Sequence, residues 1–156
     1  MPAMVRLSDL GPGGAALGQL PVPEFEGTPW VVPPPLADAR VAIVSTAGLH
    51  RRGDAPFTPA SASEYRIIPG DADANDLLMS HLSVNFDRSG FQQDLNVAFP
   101  IDRLRELAAA GEIGSAADWH YSFMGAVDPA QLQEPATDVA KRLQGDGVTA
   151  ALLVPV

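Results

Sequence analysis

Short apolar runs separated by turn-forming residues mark the strands of this chain. Residues 40–45 form a β-branched run followed by a glycine-containing turn, which is typical of a buried strand. Residues 65–68 form a second short run, and the Pro-Gly pair after it indicates a turn. Residues 77–84 fit either a strand or a loop, and the pattern alone does not separate the two.

The spacing of apolar residues predicts two helices in the second half of the chain. Residues 100–110 begin with proline, have an acidic residue in the first turn, and precede Gly111, which suits a C-terminal cap. Ile101 and Leu104 begin an apolar stripe that would face the core. A second helix is predicted over residues 135–144, and it is again followed by glycine.

The last apolar run, residues 148–154, has no polar alternation, which predicts an interior parallel strand covered by helices on both faces. The helix predicted just before it fits a right-handed crossover between parallel strands. The order of elements predicts an α/β domain over residues 39–156, with three layers and a mostly parallel, loosely Rossmann- or flavodoxin-like sheet. The chain ends at Val156, where a site-forming loop would begin in such a sheet, so a native final strand and a chain cut short both fit this ending.

Proline is concentrated at the start of the chain, where eight of the fifteen prolines precede residue 36. Proline lacks an amide donor and restricts φ, so this stretch cannot form a long helix or a central strand. We therefore expect residues 1–38 to form an irregular, Pro/Gly-rich arm. Its scattered apolar residues indicate that it packs either over its own domain or on a partner.

The composition fits a single acidic globular domain. The chain has 156 residues, with 19 acidic and 10 basic side chains and a formal net charge of -9. Such a surface repels phosphate backbones and anionic lipids, which argues against binding to nucleic acid or to a membrane surface. No apolar run reaches the roughly 20 residues needed to span a bilayer, and the N-terminus lacks a signal-peptide pattern. We therefore expect a cytoplasmic protein.

The absence of cysteine restricts the chemistry that this chain can carry. Without cysteine there is no disulfide, no thiolate metal site and no cysteine nucleophile. The three histidines, His50, His81 and His120, lack the spacing of a metal motif, although a site built from histidine and carboxylate ligands stays an alternative. No dinucleotide-binding, P-loop or nucleophile-elbow motif is present, so the sequence indicates no cofactor.

The densest group of polar residues lies in residues 80–96. Histidine can exchange protons near neutral pH, and a nearby carboxylate would orient it and raise its pKa. We therefore predict that His81 and Asp94 are catalytic and converge in one pocket, which Asp87 and Asn96 also line. The alternative is a structural loop, because Asx and Ser side chains often bond to loop backbones.

Three further residues are candidates for binding a substrate. Ser45 and Thr46 follow the first apolar run, at the carboxyl edge where open α/β sheets hold ligands. His120 lies between two aromatic residues, and such a segment lines either a substrate pocket or a packed strand edge. The basic residues 50–52 form either an exposed loop or a carboxylate-binding patch.

Five segments of the chain, in matching order, resemble one known family. They are residues 40–50, 65–70, 80–107, 120–125 and 146–156, of which residues 80–107 form the longest. The family is that of the selenoprotein B subunits of glycine, sarcosine and betaine reductase and of D-proline reductase. The resemblance covers most of the chain after the proline-rich arm.

The resemblance implies reductive chemistry on a small amino-acid-like substrate. Members of the family cleave a bond next to a carboxylate or amine with a selenocysteine or cysteine nucleophile, usually paired with a second cysteine and often beside a pyruvoyl-containing partner subunit. In short relatives the redox motif directly follows the segment matching residues 152–156. The resemblance therefore implies a substrate-pocket subunit whose nucleophile is absent from this chain, working with a partner reductase subunit or as a homo-oligomer. A noncatalytic binding or scaffold subunit is the alternative.

Overall fold

The computed structural model of the chain describes residues 31–83 and 87–156, together with residues 9, 11, 12, 14, 19 and 27. The chain divides into two compact units, Met1–Trp30 and Val31–Val156. Most of the arm predicted over residues 1–38 lies outside the described residues. Its last part, residues 31–38, is largely exposed and ends in one 3-10 turn.

The main sheet is built around a central strand, β1 (Arg40–Ser45). β7 (Ala150–Val154) pairs with β1 in parallel along one edge. β5 (Ser115–Ala116) and β6 (Trp119–Ser122) share the other edge, beside the start and the end of β1, and both run parallel to it. β3 (Arg66–Pro69) then pairs antiparallel with β6. The main sheet is therefore mixed.

The remaining elements surround this sheet. β2 (Leu49–Arg51) and β4 (Leu77–Met79) form a separate antiparallel pair. Within residues 31–83 and 87–156, the α-helices are α1 (Ser89–Gln93), α2 (Ile101–Ala109) and α3 (Gln133–Gly145). No helix in the described part of the chain is long and apolar enough to cross a bilayer.

The two faces of β1 contribute to different apolar clusters, which explains why its sequence is apolar throughout. Ile43 packs in the larger cluster, which includes Ile101 and Leu104 of α2. Val44 packs in a second cluster, which includes Val139 of α3. A strand covered on both faces needs apolar side chains at successive positions, because consecutive side chains point to opposite sides.

The α/β class is confirmed, whereas the predicted Rossmann- or flavodoxin-like three-layer arrangement is not. β6 pairs with β1 in parallel and with β3 antiparallel, so the sheet is not built from repeated parallel units. β5 and β6 follow one another along the same edge of β1 with no helix between them. Apolar patterning predicts which segments are strands but carries little information on which strands pair.

The prediction of an interior strand over residues 148–154 is wrong in one respect. β7 is parallel to β1, as predicted, but it lies at the edge of the main sheet in the part of the chain that the structure describes. Its three central residues are exposed. The apolar run indicates a strand that is suited to burial on both faces, but burial also requires neighbouring elements, which the sequence of the strand does not specify.

The other predicted elements are present with small shifts at their ends. The helix predicted over residues 100–110 is α2, and the strand predicted over residues 65–68 is β3. α3 begins two residues before Pro135, because proline is tolerated in the first turn, where its missing amide is not needed. Of residues 77–84, only the first three form a strand, and Val84 lies outside the described residues.

Candidate functional site

The carboxyl ends of β1, β6 and β7 meet at one edge of the main sheet. The Thr46 amide donates a hydrogen bond to the Val154 carbonyl at 3.1 Å, and the Phe123 amide donates to the Ser45 carbonyl at 2.8 Å. In open α/β sheets, ligands bind beyond the carboxyl ends of parallel strands. This carboxyl edge is therefore the candidate functional site.

Three backbone segments approach each other very closely at this edge. The Val156 amide donates to the Thr46 Oγ1 at 2.8 Å, and the Gly125 amide donates to the Thr46 carbonyl at 2.8 Å. A Cβ atom at Gly125 would lie 2.6 Å from the Val156 carbonyl oxygen and 3.1 Å from the Thr46 carbonyl oxygen. Residue 125 must therefore be glycine for the three segments to keep these contacts.

The turn after β1 brings His81 next to the carboxyl edge. Gly48 has a φ of +66°, a conformation that L side chains rarely adopt. A Cβ atom at Gly48 would lie 3.2 Å from both the backbone nitrogen and the Cα of His81. The Ser80 amide also donates to the Gly48 carbonyl at 3.0 Å, so the start of the polar loop is held against this turn.

The His81 side chain is buried, with 5% of its surface exposed. Burial, and after it the positive charge of Arg88, lowers the pKa of the His81 imidazole. The Ser83 amide donates to Nδ1 of His81 at 3.1 Å, so the proton of the neutral ring is on Nε2. The Arg88 guanidinium donates to the His81 carbonyl. These contacts fix the ring as a hydrogen-bond donor through Nε2.

The hydroxyl of Ser45 connects the end of β1 to the segment before α2. The Ser45 side chain is fully buried, and its Oγ donates to the Ala98 carbonyl at 2.8 Å. The same oxygen accepts a hydrogen bond from the Ala47 amide at 3.2 Å. Both contacts are to backbone groups, so the hydroxyl holds the turn after β1 in place.

The predicted acidic residues lie in the same loop region but stabilise its local backbone. The Asp87 carboxylate accepts from the Ser89 amide at 2.9 Å, and this bond lowers its pKa. The Asp94 carboxylate accepts from the side chain and the backbone of Asn96 at 2.8 and 2.9 Å, and these bonds lower its pKa. Both carboxylates are exposed. The contacts that the structure describes do not bring Asp87, Asp94 or Asn96 together with His81.

His120 lies inside the main sheet and completes its hydrogen bonding. The ladder on this edge of β1 is interrupted at Ile43, because β5 pairs with the first residues of β1 and β6 with the last. There Nδ1 of His120 accepts the Ile43 amide at 3.0 Å, in place of a backbone carbonyl. The ring is fully buried and stands edge-on to Phe99, with centroids 5.9 Å apart. Burial, and next the positive charge of Arg105, lowers its pKa to about 4.

Sequence reasoning missed Gly48, Met124 and Gly125 at the carboxyl edge. Met124 is fully buried, and its sulfur accepts the Leu82 amide at 3.3 Å. Met124 also forms a bridge with Ala47 in the turn after β1. A usable signal was present in the two glycines, because each follows the end of a strand by three residues, where glycine often marks a close backbone approach.

The described residues show no cluster of three or more histidine and acidic side chains that could hold a metal ion. An open groove of about 520 Å³ lies elsewhere, and its lining includes Arg51 and Arg66. Arg51 is paired with Asp54 at 3.4 Å, and Arg66 with Glu64 at 2.9 Å. Because both cations already have acidic partners, the carboxyl edge is the stronger candidate for binding a substrate.

Comparison with known proteins identifies relatives of this chain. The family model of glycine/sarcosine/betaine reductase selenoprotein B matches residues 17–156. D-proline reductase subunit gamma of Acetoanaerobium sticklandii is 36% identical over 133 residues, which are 79% of this chain and 54% of the relative. Glycine reductase complex component B subunit gamma of Carboxydothermus hydrogenoformans is 29% identical over 143 residues, which are 86% of this chain and 32% of the relative.

The chain thus spans about half the length of the first relative and about a third of the second. No solved structure gives a significant match.

Proposed function

Because this chain belongs to the family of glycine/sarcosine/betaine reductase selenoprotein B, we propose that it is a cytoplasmic subunit of a reductase complex that binds a small amino-acid-like substrate. The proposed binding site is the carboxyl edge of the main sheet. The observation that carries this proposal is the convergence of Thr46, Gly125 and Val156 beside the turn that holds His81. The relatives named above are subunits of D-proline reductase and of a glycine reductase complex.

His81 is the residue of this site with the most suitable chemistry. Its neutral ring carries a proton on Nε2, and an N–H group of this kind donates hydrogen bonds to a carboxylate. In our proposal, this bond orients the substrate carboxylate, and Thr46 lies at the same edge. The proposal does not depend on Asp87, Asp94, Asn96, Ser45 or His120, whose roles in binding or catalysis stay predictions.

The proposed reaction is the reductive cleavage of the carbon–nitrogen bond next to the substrate carboxylate. A thiolate or selenolate attacks the carbon, and the amine leaves with the bonding electron pair and takes up a proton. A second thiol then attacks the sulfur or selenium and releases the reduced carbon, which takes up a proton as a disulfide or selenenylsulfide forms. The two electrons therefore come from the thiol or selenol pair. Residues 1–156 contain no cysteine, so the pair comes from a polypeptide segment other than these residues.

Substrate binding is expected to perturb the carboxyl edge selectively. We expect titration with D-proline, glycine, sarcosine or betaine to shift the backbone amide signals of Thr46, Gly48, Gly125 and His81 in NMR spectra of the labelled chain. His81→Leu is expected to weaken binding about tenfold, because leucine has no N–H group and the hydrogen bond to the charged carboxylate is lost. The dissociation constant from the titration is the measurement.

His50→Leu is a matched control for this experiment. His50 is as buried as His81, with 5% exposure, but it lies on β2, and its Nδ1 contacts the Arg51 carbonyl. Its substitution is expected to leave the dissociation constant unchanged. Shifts confined to other surfaces with all four compounds, or equal effects of the two substitutions, would contradict the proposed site.

The chain by itself is expected to lack thiol-dependent reductase activity. A thiolate or selenolate is the attacking species in this chemistry, and the sequence contains no cysteine. Incubation of the purified chain with each of the four compounds and a dithiol should therefore form no cleavage product above the rate without protein, the product being a free amine from glycine, sarcosine or betaine and a ring-opened amino acid from D-proline. Cleavage that persists after repurification and is absent from a mock preparation would overturn the proposal that the nucleophile lies outside residues 1–156.

A further inference from the structure

One edge of the main sheet is unpaired among the residues that the structure describes. β7 pairs with β1 on its inner side, and no described strand lies along its outer side. Leu152 and Leu153, in the second half of β7, are 43% and 69% exposed. Natural edge strands are commonly charged, very short or covered, because their unpaired backbone groups recruit other strands. β7 has five residues and no charged side chain, and no strand among the described residues covers its outer side, so these protective features are absent from the part of the chain that the structure describes.

The two exposed leucines extend apolar layers on opposite faces of the sheet. Leu152 is in register with Ile43, and Leu153 is in register with Val44. Ile43 packs in the cluster that includes α2, whereas Val44 packs in the cluster that includes α3. Each layer therefore continues from β1 onto β7 but is left open at the edge. A strand with helical cover completes such an arrangement, because parallel strands are normally buried on both faces.

We propose that the outer edge of β7 docks a parallel strand and its adjoining helix from a polypeptide segment that corresponds to the unmatched part of D-proline reductase subunit gamma. The match covers 54% of D-proline reductase subunit gamma, so nearly half of that protein has no counterpart in this chain. That length is sufficient for further strand–helix units, because a complete β-α-β unit needs only about 30 residues.

A second copy of this chain fits the same edge less well. A two-fold axis would pair β7 with β7 of the other copy in antiparallel orientation, whereas continuous apolar residues are typical of strands in parallel sheets. Each copy also has a formal net charge of -9, so two copies repel each other. The orientation and the charge therefore both argue against a second copy.

The docked strand also relates to the candidate site. A parallel strand beside β7 ends at the carboxyl edge of the sheet, near Thr46 and Val156. The loop after that strand would thus lie beside the proposed binding site, and this consequence rests on the proposed function. The docking itself depends only on the shape and apolar character of β7.

The test is co-expression of this chain with a tagged fragment of the Acetoanaerobium sticklandii subunit, made of the part outside its match to this chain. A double variant, Leu152→Lys with Leu153→Lys, places charge on both faces of β7. Leu107→Lys is the control, because Leu107 is 44% exposed, much like Leu152, but lies on α2. Thermal unfolding of each variant verifies that it is folded, and hydrogen exchange reports protection of residues 150–154.

We expect a one-to-one complex with the fragment, with added amide protection in residues 150–154. The double variant is expected to bind at least about tenfold more weakly, and Leu107→Lys to bind as the unmodified chain does. Failure of the fragment to co-purify, or equal binding by the folded double variant, would overturn the proposal. The chain could instead form a homodimer that persists when the fragment is added. If the double variant abolishes that homodimer, the edge of β7 binds a second copy.

The docking experiment and the substrate titration can fail independently of each other. If the fragment docks but none of the four compounds shifts the amide signals of the carboxyl edge, the docking proposal is supported and the substrate proposal fails. If the compounds bind but the fragment does not dock, the substrate site stands and the docking proposal fails.

Discussion

Lowering the pH from 7 to 4.5 is expected to reduce the free energy of unfolding by about 2 kcal/mol through His120 alone. Burial lowers the pKa of this imidazole from 6.5 to about 4. In the unfolded chain the ring takes up a proton as the pH falls below 6.5, whereas in the folded protein it stays neutral until about pH 4. The unfolded state binds more protons in this window, so stability that is complete above pH 6.5 is lost as the pH falls.

The hydrogen bond to Ile43 explains why protonation opposes folding. Nδ1 of His120 accepts the Ile43 amide at 3.0 Å. When the ring is protonated, both of its nitrogens carry hydrogen and neither can accept. The Ile43 amide would then be buried without an acceptor, and a positive charge would lie in the core of the sheet.

Urea unfolding at several pH values between 7 and 4.5 tests this prediction against the variant His120→Gln. Glutamine does not titrate, and its side-chain oxygen can accept a hydrogen bond, so the variant is expected to lose about 2 kcal/mol less over this range. His81, whose pKa is also lowered, contributes in the same direction in both proteins. The carboxylates with lowered pKa, such as Asp138, change the free energy of unfolding mainly below pH 3.8. An equal loss in both proteins would show that His120 is not held neutral.

Gly125→Ala is expected to reduce the free energy of unfolding by about 1–3 kcal/mol. The added Cβ would lie 2.6 Å from the Val156 carbonyl oxygen and 3.1 Å from both the carbonyl oxygen and the Oγ1 of Thr46. Two of these three atoms belong to backbone, which cannot move aside as the end of a flexible side chain can. We therefore expect the substitution to separate Val156 from Thr46 and to disrupt the carboxyl edge.

Gly145→Ala is the matched control for this substitution. Gly145 is the last residue of α3, and a Cβ atom there would have no neighbour within 4 Å. Alanine is expected to raise the stability there by roughly 0.5–1 kcal/mol, because it restricts the unfolded chain. Urea unfolding gives both changes in stability, and NMR reports the amide signals of Thr46 and Val156. Unchanged stability and unchanged signals in Gly125→Ala would mean that the three segments are not in close contact.

Much of the secondary structure could be predicted because it depends on local patterns. β1 is a short β-branched run, and α2 has an apolar stripe, an acidic first turn and a glycine after its end. These features act within one segment, so they hold whatever surrounds it. The sequence predicts the start of α3 two residues late, because a proline in the first turn is typical of the first helical position.

The candidate site could be predicted only in part. Ser45 and Thr46 were expected at the carboxyl edge because they follow a strand, and the structure places them there. Which polar residues of the loop over residues 80–96 lie near that edge depends on how the loop folds back against Gly48, and this involves contacts between distant segments. A polar segment alone shows that partners are needed, but not which residues provide them.

The sequence by itself determined the α/β class and the parallel orientation of the last strand, because both depend on local apolar patterns. It also determined the family, because long segments of the chain match that family. Only the tertiary structure decided that β7 lies at an edge, that Gly125 allows Val156 to reach Thr46, and that His120 replaces a missing backbone acceptor. Each of these depends on which segments become neighbours. Such contacts join residues far apart in the chain, so no local pattern encodes them.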